Sequence, residues 1–317
     1  MKKAPEKKPA PKARRTVHEG QAQSEQRADL LVKTLTEKSR SEIRAMFQLG
    51  CVSVNGKRCE NPGEMLAVGD QIKVQFDPAR RYREKAPAYK SRLFTVLFED
   101  NYLIVVNKQA GFLTMPTEKE EAVSLITSVN KYISVKGGRQ QGATLVHRLD
   151  RDTSGILVLA KHHNLAQTLK EQFASRKPMR KYVAIAKGRP KLKSGTYKSF
   201  LATDEDLNQY STGTSAEGKL AITHFKVVKQ YKDCCLLHVR LETGRRNQIR
   251  VHFAEHDHPI LGDTRYKPGM AKHPRWTYRR IALHAAELGF THPVTKKELS
   301  FSTPVPKEFD EFLSGAE

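Results

Sequence analysis

Residues 147–155 read His147-Arg148-Leu149-Asp150-Arg151-Asp152-Thr153-Ser154-Gly155, and the apolar run Ile156-Leu157-Val158-Leu159-Ala160 follows them directly. The first stretch brings together two carboxylates, two guanidiniums, an imidazole and two hydroxyls. The second is typical of a buried strand, which fixes the geometry of a preceding loop while that loop leaves its polar groups accessible. The pattern predicts a functional loop that leads into a buried strand, with Asp150 as the first candidate.

An ordinary surface turn is the alternative for the same nine residues. Asp, Thr, Ser and Gly are frequent in turns, and the two arginines can pair with the two aspartates in a surface network. Composition alone does not separate the two interpretations, so the choice depends on the rest of the chain.

The composition favours a polyanionic partner. The chain has 317 residues and a formal net charge of +22, and apolar residues make up 38% of it. A positive field of this size favours nucleic acid, because the neutralisation of phosphates releases counterions. A membrane surface is the competing partner, but the sequence has no long apolar segment and no obvious amphipathic anchor, so we expect no membrane association.

The cysteines and the N-terminus favour a cytoplasmic protein. The four cysteines form no Cys-x-x-Cys pair and have no histidines at zinc-ligand spacing; they are Cys51, Cys59, Cys234 and Cys235. We therefore expect reduced thiols and no metal site. No hydrophobic core follows the N-terminal lysines, as a signal peptide would require.

Shifts in composition divide the chain into four parts. Residues 1–24 are dominated by Lys, Arg, Pro and Ala. They are predicted to be a disordered basic tail, because they cannot bury enough apolar surface to offset the entropy of ordering. A small α/β unit is predicted over residues 25–76. Residues 77–92 have the Pro-containing, charged composition of a linker, and a larger domain is predicted over residues 93–317.

Short-range signals describe the small unit. Ser39 and Glu42 have the spacing of a capping box, and Asn55-Gly56 is a strong signal for a two-residue hairpin turn. Apolar residues at helical spacing predict two short helices, namely Leu30, Leu31, Leu35, Ile43, Met46 and Phe47. Basic residues cluster in the same unit.

The larger domain combines apolar strands with helical stretches. Strands are predicted over residues 102–106, 155–160, 182–186 and 235–239, and a helix over residues 165–173. The fold class that follows is α+β. We expect a mixed, mainly antiparallel sheet with flanking helices, preceded by the small α/β domain.

Three separated segments carry polar groups from which a site can be built: residues 147–155, residues 180–182 and residues 242–252. The sequence has no Ser-His-Asp nucleophile elbow, no Walker lysine loop and no dinucleotide-binding glycine pattern. It also has no metal ligands at useful spacing. The remaining active group is a carboxylate, which cations of the third segment could hold in its ionised form.

The small unit resembles the RNA-binding domain of S-four type, which a small-subunit ribosomal protein shares with tyrosyl-tRNA synthetases. The resemblance rests on Arg27-Ala28-Asp29, Ser39-Arg40-Ser41, the segment from Gly50 to Lys57, and Gly69-Asp70. It implies that the helix with the Ser-Arg-Ser step and the following turn face RNA. The implied RNA-binding residues are Arg27, Ser39, Arg40, Asn55 and Lys57. Ala28 stands where Leu is usual, a change that affects packing only.

The larger domain resembles the RNA pseudouridine synthases of the RluA type. Residues 146–161 match the signature of that family, and the match extends over about residues 95–306 in the family's order. The further motifs are Asn107-Lys108 before Gly111, Lys181-Tyr182, Thr243 to His252, Pro259 to Asp263, Leu283-His284-Ala285, and His292-Pro293. Two departures stand out: Arg246-Asn247 replaces the usual Thr or Ser followed by His, and Gln109 replaces a common Pro.

The resemblance implies a catalytic role for three residues. Asp150 matches the essential aspartate, which either attacks the target uridine or abstracts a proton from its ribose. Both routes detach the base, which then rotates and rejoins the sugar through carbon 5. Tyr182 matches the tyrosine that stacks under the base and helps to remove the carbon-5 proton. Arg250 matches the arginine that ion-pairs with the aspartate.

Three further residues are implied at the RNA. Arg148 matches the side chain that enters the RNA stack while the uridine is flipped out. Arg245 joins it as an RNA contact, and His147 belongs to the same set mainly as a support of the loop. No metal or organic cofactor is implied, because the reaction is redox-neutral and the base returns to the same sugar.

The sequence therefore predicts an isomerase that converts uridine to pseudouridine in structured RNA, with ribosomal RNA as the expected substrate and a monomer as the expected state. A tRNA-directed synthase and a non-catalytic ribosome assembly factor are the alternatives. The intact Asp150, Tyr182 and Arg250 argue against the assembly factor. A nuclease would need paired carboxylates with a metal, or a His pair, which the sequence lacks.

Overall fold

The computed structural model describes residues 16–79, 82, 91–117, 123–135 and 142–315. The chain forms two compact units, residues 1–87 and residues 88–317. The boundary falls within the predicted linker of residues 77–92, much of which lies outside the described residues. The first 15 residues of the predicted basic tail lie outside them as well.

The first unit combines short strands with two helices. Its described elements are β1 (Thr16–Gln21), β2 (Gln26–Arg27), α1 (Ala28–Thr36), α2 (Arg40–Gln48), β3 (Val52–Val54), β4 (Lys57–Arg58), β5 (Met65–Leu66) and β6 (Gln71–Phe76). One sheet has the strand order β1-β6-β3-β4, and β2 pairs with β5. The apolar sides of α1 and α2 share one buried core with β3 and β6. The two predicted helices are therefore confirmed.

Both local signals of this unit correspond to observed contacts. Ser39 and Glu42 form the two halves of a capping box at the start of α2, because each side chain accepts from the other's main-chain amide. Asn55 and Gly56 have φ values of 49° and 78°, the left-handed conformation that a two-residue hairpin turn requires at both positions. The Asn55 side chain also donates to Asp70 at 2.8 Å and accepts from the Gln71 amide at 2.9 Å.

The predicted disordered tail is wrong for residues 16–21. Thr16–Gln21 forms β1 and pairs antiparallel with β6 along its whole length. Main-chain hydrogen bonds to β6 hold the strand, while its one large apolar side chain, Val17, is exposed. Amino-acid composition indicates whether a segment can bury apolar side chains. It does not indicate whether the main chain can pair with the edge of a sheet, so the composition gave no signal for β1.

The second unit contains the remaining elements. They are β7 (Phe94–Glu99), β8 (Leu103–Lys108), α3 (Leu125–Val135), β9 (Thr144–Leu145), β10 (Ser154–Ala160), α4 (His163–Ala174), β11 (Met179–Lys187), β12 (Ser194–Thr203), β13 (Gln209–Thr212), β14 (Lys219–Gln230), β15 (Cys234–Leu241), α5 (Gln248–Glu255), α6 (Pro268–Ala271), β16 (Leu283–Thr291), β17 (Glu298–Ser302) and α7 (Lys307–Ser314). None of the helices in the described ranges is long and apolar enough to cross a membrane.

A single sheet of eleven strands organises the second unit. Its order is β13-β12-β14-β15-β11-β16-β10-β8-β7, with β17 beside β16 and β9 beside β10. Among the described strands, β10 and β16 pair in parallel and the other neighbours pair antiparallel. The predicted α+β class with a mixed, mainly antiparallel sheet is confirmed. The four predicted strands correspond to β8, β10, β11 and β15, and the predicted helix corresponds to α4.

Strand β10 is buried on both faces and lies at the centre of this unit. All of its residues are buried. Leu157 and Leu159 pack in the cluster that contains α3, while Ile156 and Val158 pack in the cluster that contains α4. Burial of each such aliphatic side chain is worth roughly 1.5–3 kcal/mol. The polar loop before β10 therefore ends at a rigid point of the core.

Gly155 lies where β10 and β16 run in parallel. Its φ of +121° is a conformation that other residues rarely adopt, and a Cβ here would lie 2.3 Å from the Ala285 carbonyl oxygen. A larger residue would have to move one of the two strands. Gly155 therefore permits the close approach of β10 to β16.

Candidate active site

A buried lysine holds the loop of residues 149–153. Lys108, at the end of β8, has no exposed surface. The three hydrogens of its Nζ are shared among four main-chain carbonyls within hydrogen-bond distance, those of Gln109 (3.0 Å), Asp150 (3.2 Å), Arg151 (2.9 Å) and Thr153 (2.8 Å). Burial lowers the pKa of Lys108 to about 7, against the attraction of the Asp152 and Asp150 carboxylates. The four carbonyl dipoles favour the charged form, so the ammonium and the loop stabilise each other.

The segment after β8 supplies a second anchor for the loop. Thr114 Oγ1 donates to the Leu149 carbonyl at 2.6 Å and accepts from the Leu149 amide at 3.2 Å. The Gly111 amide donates to the Arg151 carbonyl at 2.9 Å. These contacts use the main chain of the loop, which leaves the Asp150 side chain available to the adjacent cavity.

Asp150 and Arg250 come together although 100 positions separate them in the chain. Arg250 lies on α5, and its Nη1 donates to Asp150 Oδ2 at 3.2 Å. The Arg250 side chain is 12% exposed, and the Asp150 side chain is 20% exposed. Burial alone would lower the pKa of Arg250, but its bonds to Asp263 and the charge of Asp150 raise that pKa above its ordinary value. A permanently charged guanidinium therefore faces the Asp150 carboxylate.

Asp263 is a site residue that the sequence analysis included in a family motif without predicting a role for it. Its carboxylate binds Arg250 through two hydrogen bonds and also accepts from the main-chain amides of Arg265 (2.8 Å) and Tyr266 (3.0 Å). Its side chain is 1% exposed. The available signal was a carboxylate directly after an apolar run and a glycine, since a buried charge requires a partner. The identity of that partner is not visible in the sequence.

Tyr182 lies at an irregularity in the sheet. The residue before Tyr182 lies opposite Glu287, whereas Tyr182 itself lies opposite Ala285, so Ala286 is an extra residue in β16. The Tyr182 side chain lines the same cavity as Asp150 and is largely buried. Burial raises the pKa of Tyr182 to about 12, so its hydroxyl is neutral at physiological pH.

Asp150 lines two cavities of about 470 Å³ each and a third, smaller one of about 50 Å³. The large cavity that it shares with Tyr182 has an apolar wall that includes Met115, Leu145, Phe173 and Leu241, and a set of guanidiniums from Arg148, Arg176, Arg180, Arg245 and Arg246. Apolar and aromatic surface suits a nucleobase, and guanidiniums suit phosphates. Sequence reasoning predicted only Arg148 and Arg245 of these five arginines.

The His147 side chain packs against neighbouring residues at the edge of the cavity. Its Nε2 accepts from the Val158 amide at 3.2 Å, and its ring stacks on Phe173 at 4.4 Å between centroids. Burial, with a smaller effect of the Arg180 guanidinium, lowers the pKa of His147 to about 3. The neutral imidazole thus supports the loop. An RNA contact by His147 stays a prediction.

The two other residues predicted to bind RNA in this unit are exposed. Arg148 makes no hydrogen bond or ion pair with any residue in the described part of the chain, and it lines both of the larger cavities at Asp150. Arg245 donates from Nε to the Leu220 carbonyl at 3.0 Å. Both guanidiniums are accessible to a ligand, and their RNA contacts stay predictions.

The five predicted RNA-binding residues of the small unit are all exposed. Arg27 is paired with Asp29 at 3.0 Å, Ser39 caps α2, and Asn55 holds its own hairpin turn. Arg40 and Lys57 have no hydrogen bond or ion pair within the described residues. These two are the more accessible candidates for phosphate contacts.

Comparison with known proteins gives this geometry its context. A family model described as RNA pseudouridylate synthase matches residues 102–255, and the S4 domain model matches residues 26–72. Ribosomal large subunit pseudouridine synthase D of Zymomonas mobilis is 31% identical over 291 residues, which cover 88% of this chain and 89% of that protein. The chain belongs to the RNA pseudouridine synthase family. These matches confirm both resemblances seen in the sequence, that of the larger domain to RluA-type synthases and that of the small unit to the S4 domain.

Other relatives of this pseudouridine synthase agree. The protein of the same name from Vibrio cholerae is 33% identical over 302 residues, which cover 90% of each chain. The solved structure of human RNA pseudouridylate synthase domain containing 4 aligns with a TM-score of 0.58 and 24% identity, over 69% of this chain and 91% of that one. That similarity supports the fold alone. The predicted isomerase activity is confirmed by the family.

Proposed function

We propose that this pseudouridine synthase modifies ribosomal RNA and that Asp150 is its essential catalytic residue. The substrate is proposed from relatives that are named as ribosomal large subunit enzymes and from the net charge of +22. The role of Asp150 is supported by one observation above all, the 3.2 Å contact of its carboxylate with Arg250 in a cavity shared with Tyr182. A ribosomal RNA substrate implies a cytoplasmic location in bacteria such as these relatives.

The proposed reaction needs Asp150 in its ionised form. The carboxylate either attacks the uridine or takes a proton from its ribose, and both steps require a free lone pair on an anionic oxygen. The bond from base nitrogen 1 to the sugar breaks, and a bond from carbon 5 to the same sugar carbon forms. Carbon 5 loses a proton and nitrogen 1 gains one, so atoms and electrons balance. The Arg250 guanidinium, whose Nη1 donates to Asp150 Oδ2 at 3.2 Å, holds the carboxylate in place for either step.

Tyr182 is proposed as the platform for the uracil ring. Stacking of a base on an aromatic side chain is worth about 1–3 kcal/mol. Tyr182 is buried, which leaves its ring little freedom to move. Its hydroxyl makes no hydrogen bond within the described residues. With a pKa of about 12, the hydroxyl of the free enzyme is a donor rather than a base.

Arg148 is proposed to take the place of the flipped uridine. A base must leave the RNA stack to reach a carboxylate inside a cavity, at a cost of a few kcal/mol. Arg148 is exposed, has no partner among the described residues, and lines both of the larger cavities at Asp150. Its guanidinium can therefore enter the vacated space, while the other arginines of the cavity contact phosphates.

The decisive experiment compares Asp150→Asn with Asp152→Asn in a strain that lacks the protein. Asp152 lies in the same loop, but Arg250 bonds to Asp150. Pseudouridine is mapped across total RNA after complementation with each form. We expect discrete ribosomal sites to disappear in the deletion strain, to return with the wild type and with Asp152→Asn, and to stay absent with Asp150→Asn.

Two outcomes would contradict the proposal. Pseudouridine formed by Asp150→Asn would remove that residue from the chemistry. Sites lost only from tRNA would show that the ribosomal substrate is wrong while leaving the catalytic residue in place. Purified Asp150→Asn should bind the RNA with wild-type affinity, which separates a chemical defect from failed folding.

A further inference from the structure

Position 247 is where this chain departs from its family next to the reactive carboxylate. Asn247 lies directly before α5 and three residues before Arg250, at a position where the resemblance to the family implies His. Its side chain is buried and lines the cavities at Asp150. The residue is therefore close enough to the proposed catalytic groups to affect them.

Both ends of the Asn247 amide are engaged. Its Oδ1 accepts from Arg250 Nη1 at 3.1 Å, and its Nδ2 donates to the Tyr266 hydroxyl at 2.9 Å. The same hydroxyl accepts from the Gln209 main-chain amide at 3.0 Å. The Arg250 guanidinium lies 5.1 Å from the centre of the Tyr266 ring. A flipped amide would place Nδ2 against another donor, Nη1, so the observed orientation is the one that satisfies both neighbours.

The hydrogen-bond capacity of Arg250 explains why this contact matters. A guanidinium has five N–H groups in a fixed plane. Asp263 binds Nε at 2.7 Å and Nη2 at 2.8 Å. Nη1 carries the two hydrogens that remain on the side facing the reactive carboxylate, and it contacts Asp150 at 3.2 Å and Asn247 at 3.1 Å. Asn247 thus occupies the one Nη1 hydrogen that Asp150 does not use.

We propose that Asn247 is a positioning residue that orients the reactive carboxylate through Arg250. It shares Nη1 with Asp150 and is itself oriented by Tyr266, which fixes the direction in which the second Nη1 hydrogen points. The inference rests on the proposed role of Asp150. It extends that role to a residue that does not touch the reacting atoms.

The amide has a property that its natural alternatives lack. It accepts a hydrogen bond without titrating, so its contact with Arg250 persists at every pH at which the protein is folded. An aspartate at 247 would compete with Asp150 for the guanidinium. A histidine would accept from Nη1 only while its imidazole is neutral, and it would lose the contact on protonation.

The backbone at position 247 allows the side chain to be tested separately. Asn247 has a φ of 53°, in the left-handed region that glycine adopts without strain and asparagine tolerates. Asn247→Gly therefore removes the amide and keeps the backbone, whereas Asn247→Ala removes the amide and strains the backbone. Lys296→Gly is the matched control, because Lys296 has a φ of 61° in an exposed turn away from this cavity.

The first measurement is the steady-state kinetics of the full-length variants on one ribosomal RNA fragment. We expect Asn247→Gly to lower kcat about ten- to a hundredfold, the change that corresponds to one hydrogen bond to a charged group. KM should stay near that of the wild type, and the melting temperature should fall modestly, because two buried hydrogen bonds are lost. Asn247→Ala should lose the same kcat and melt at a lower temperature than Asn247→Gly, while Lys296→Gly should match the wild type in kcat.

The second measurement is the pH dependence of kcat for Asn247→His. Charged or titratable groups line the cavities at position 247 from the loop before β10, the segment from α4 to β11, the segment before α5, α5 itself and the segment after it; they are His147, Arg148, Asp150, Asp152, Arg176, Arg180, Tyr182, Arg245, Arg246, Arg250, Asp263, Arg265 and Tyr266. All of them are shared by the variants. We expect Asn247→His to approach wild-type kcat at alkaline pH and to lose activity as the imidazole gains a proton. This decrease in kcat towards acidic pH should be absent from the profiles of the wild type and of Asn247→Gly.

Two results would overturn the inference. One is a wild-type kcat for Asn247→Gly, and the other is a pH profile of Asn247→His that follows the wild type. Asp150→Asn is measured in parallel to separate the two proposals. If Asp150→Asn is inactive and Asn247→Gly is unchanged, only the positioning role fails; if Asp150→Asn is active, the proposed function fails.

Discussion

Asp263 binds Arg250 through two parallel hydrogen bonds, from Nε to Oδ2 at 2.7 Å and from Nη2 to Oδ1 at 2.8 Å. The arginine that faces Asp150 is thus held by a second carboxylate that lies deeper in the protein. Bidentate pairs of this kind fix direction as well as distance. The position of the Arg250 charge next to Asp150 is consequently fixed by Asp263, a residue that no substrate needs to touch.

The first prediction concerns this pair. Asp263→Asn removes the negative charge and leaves one acceptor for two guanidinium donors, so Arg250 should lose its fixed orientation. We expect kcat to fall about ten- to a hundredfold, with RNA affinity unchanged, and the free energy of unfolding to fall by about 1–3 kcal/mol. Asp233→Asn is the control, since it removes a carboxylate paired with Lys187 elsewhere in the unit. Equal kinetic losses in both variants would contradict the prediction.

The second prediction separates the ring of Tyr182 from its hydroxyl. Tyr182→Phe keeps the stacking surface and removes a hydroxyl that has no partner within the described residues. We expect RNA affinity within about threefold of the wild type and a kcat lowered about tenfold or more, the size of one hydrogen bond formed with the substrate. Tyr182→Ala should lose both affinity and turnover. A wild-type kcat for Tyr182→Phe would leave the ring alone as the functional part.

The third prediction is a pH effect on stability from His147. Burial lowers the pKa of His147 from 6.5 to about 3, so the unfolded chain binds a proton here that the folded protein does not bind between these values. The free energy of unfolding therefore falls as the pH decreases from 6.5 towards 3. For one residue the slope is at most about 1.4 kcal/mol per pH unit.

The test is urea unfolding of His147→Gln between pH 4 and 6.5. Gln keeps an acceptor for the Val158 amide and does not titrate, so its stability should depend less steeply on pH than that of the wild type. Substitution of the exposed His238 by Gln should leave the wild-type slope unchanged. Parallel curves for wild type and His147→Gln would show that His147 is not buried in its neutral form.

The fourth prediction distinguishes steric contact from backbone strain. Gly155 and Gly111 both have a positive φ, but a Cβ at Gly155 would meet the main chain of Ala285 at 2.3 Å, whereas nothing lies within 4 Å of one at Gly111. Gly111→Ala should lower the free energy of unfolding by about 1–2 kcal/mol through strain alone. Gly155→Ala should cost clearly more, at least about 3 kcal/mol or loss of the folded unit. Equal melting temperatures would contradict the close approach of β10 and β16.

The fifth prediction concerns the small unit. Arg40→Ala and Lys57→Ala should each weaken RNA binding and reduce the salt slope of the association constant by about one. Ser39→Ala should instead lower stability by about 1 kcal/mol, because its hydroxyl caps α2. Lys73→Ala, which removes a lysine paired with Glu19, is the charge-matched control. An unchanged salt slope in both variants would exclude these residues as phosphate contacts.

Local signals account for what the sequence predicted well. The capping box at Ser39, the turn at Asn55 and the buried run of β10 depend on residues within a few positions of one another. Such patterns carry their own physical reason, and each corresponds to an observed element. The choice of Asp150 as the proposed catalytic residue followed from the same locality, because its loop adjoins a strand that is buried on both faces.

Long-range partners account for what the sequence did not predict. Lys108 reaches a carbonyl 45 positions away, and Asp263 is needed only because the fold brings Arg250 beside it. Strand β1 depends on the free edge of β6, which composition does not report. In each case the partner is a neighbour that exists only after folding, so the sequence does not identify it.

The extra residue opposite Tyr182 makes this active site sensitive to strand length. Deletion of Ala286 would leave the β11–β16 pairs in register, but it would draw Glu287 one residue closer to Ala285 and displace the half of β16 that also pairs with β17. Side-chain substitutions near Tyr182 alter one contact each, whereas a single insertion or deletion here alters all the contacts beyond it. Recombination between relatives, or loop grafting onto this scaffold, should therefore keep the number of residues between Leu283 and Glu287 unchanged.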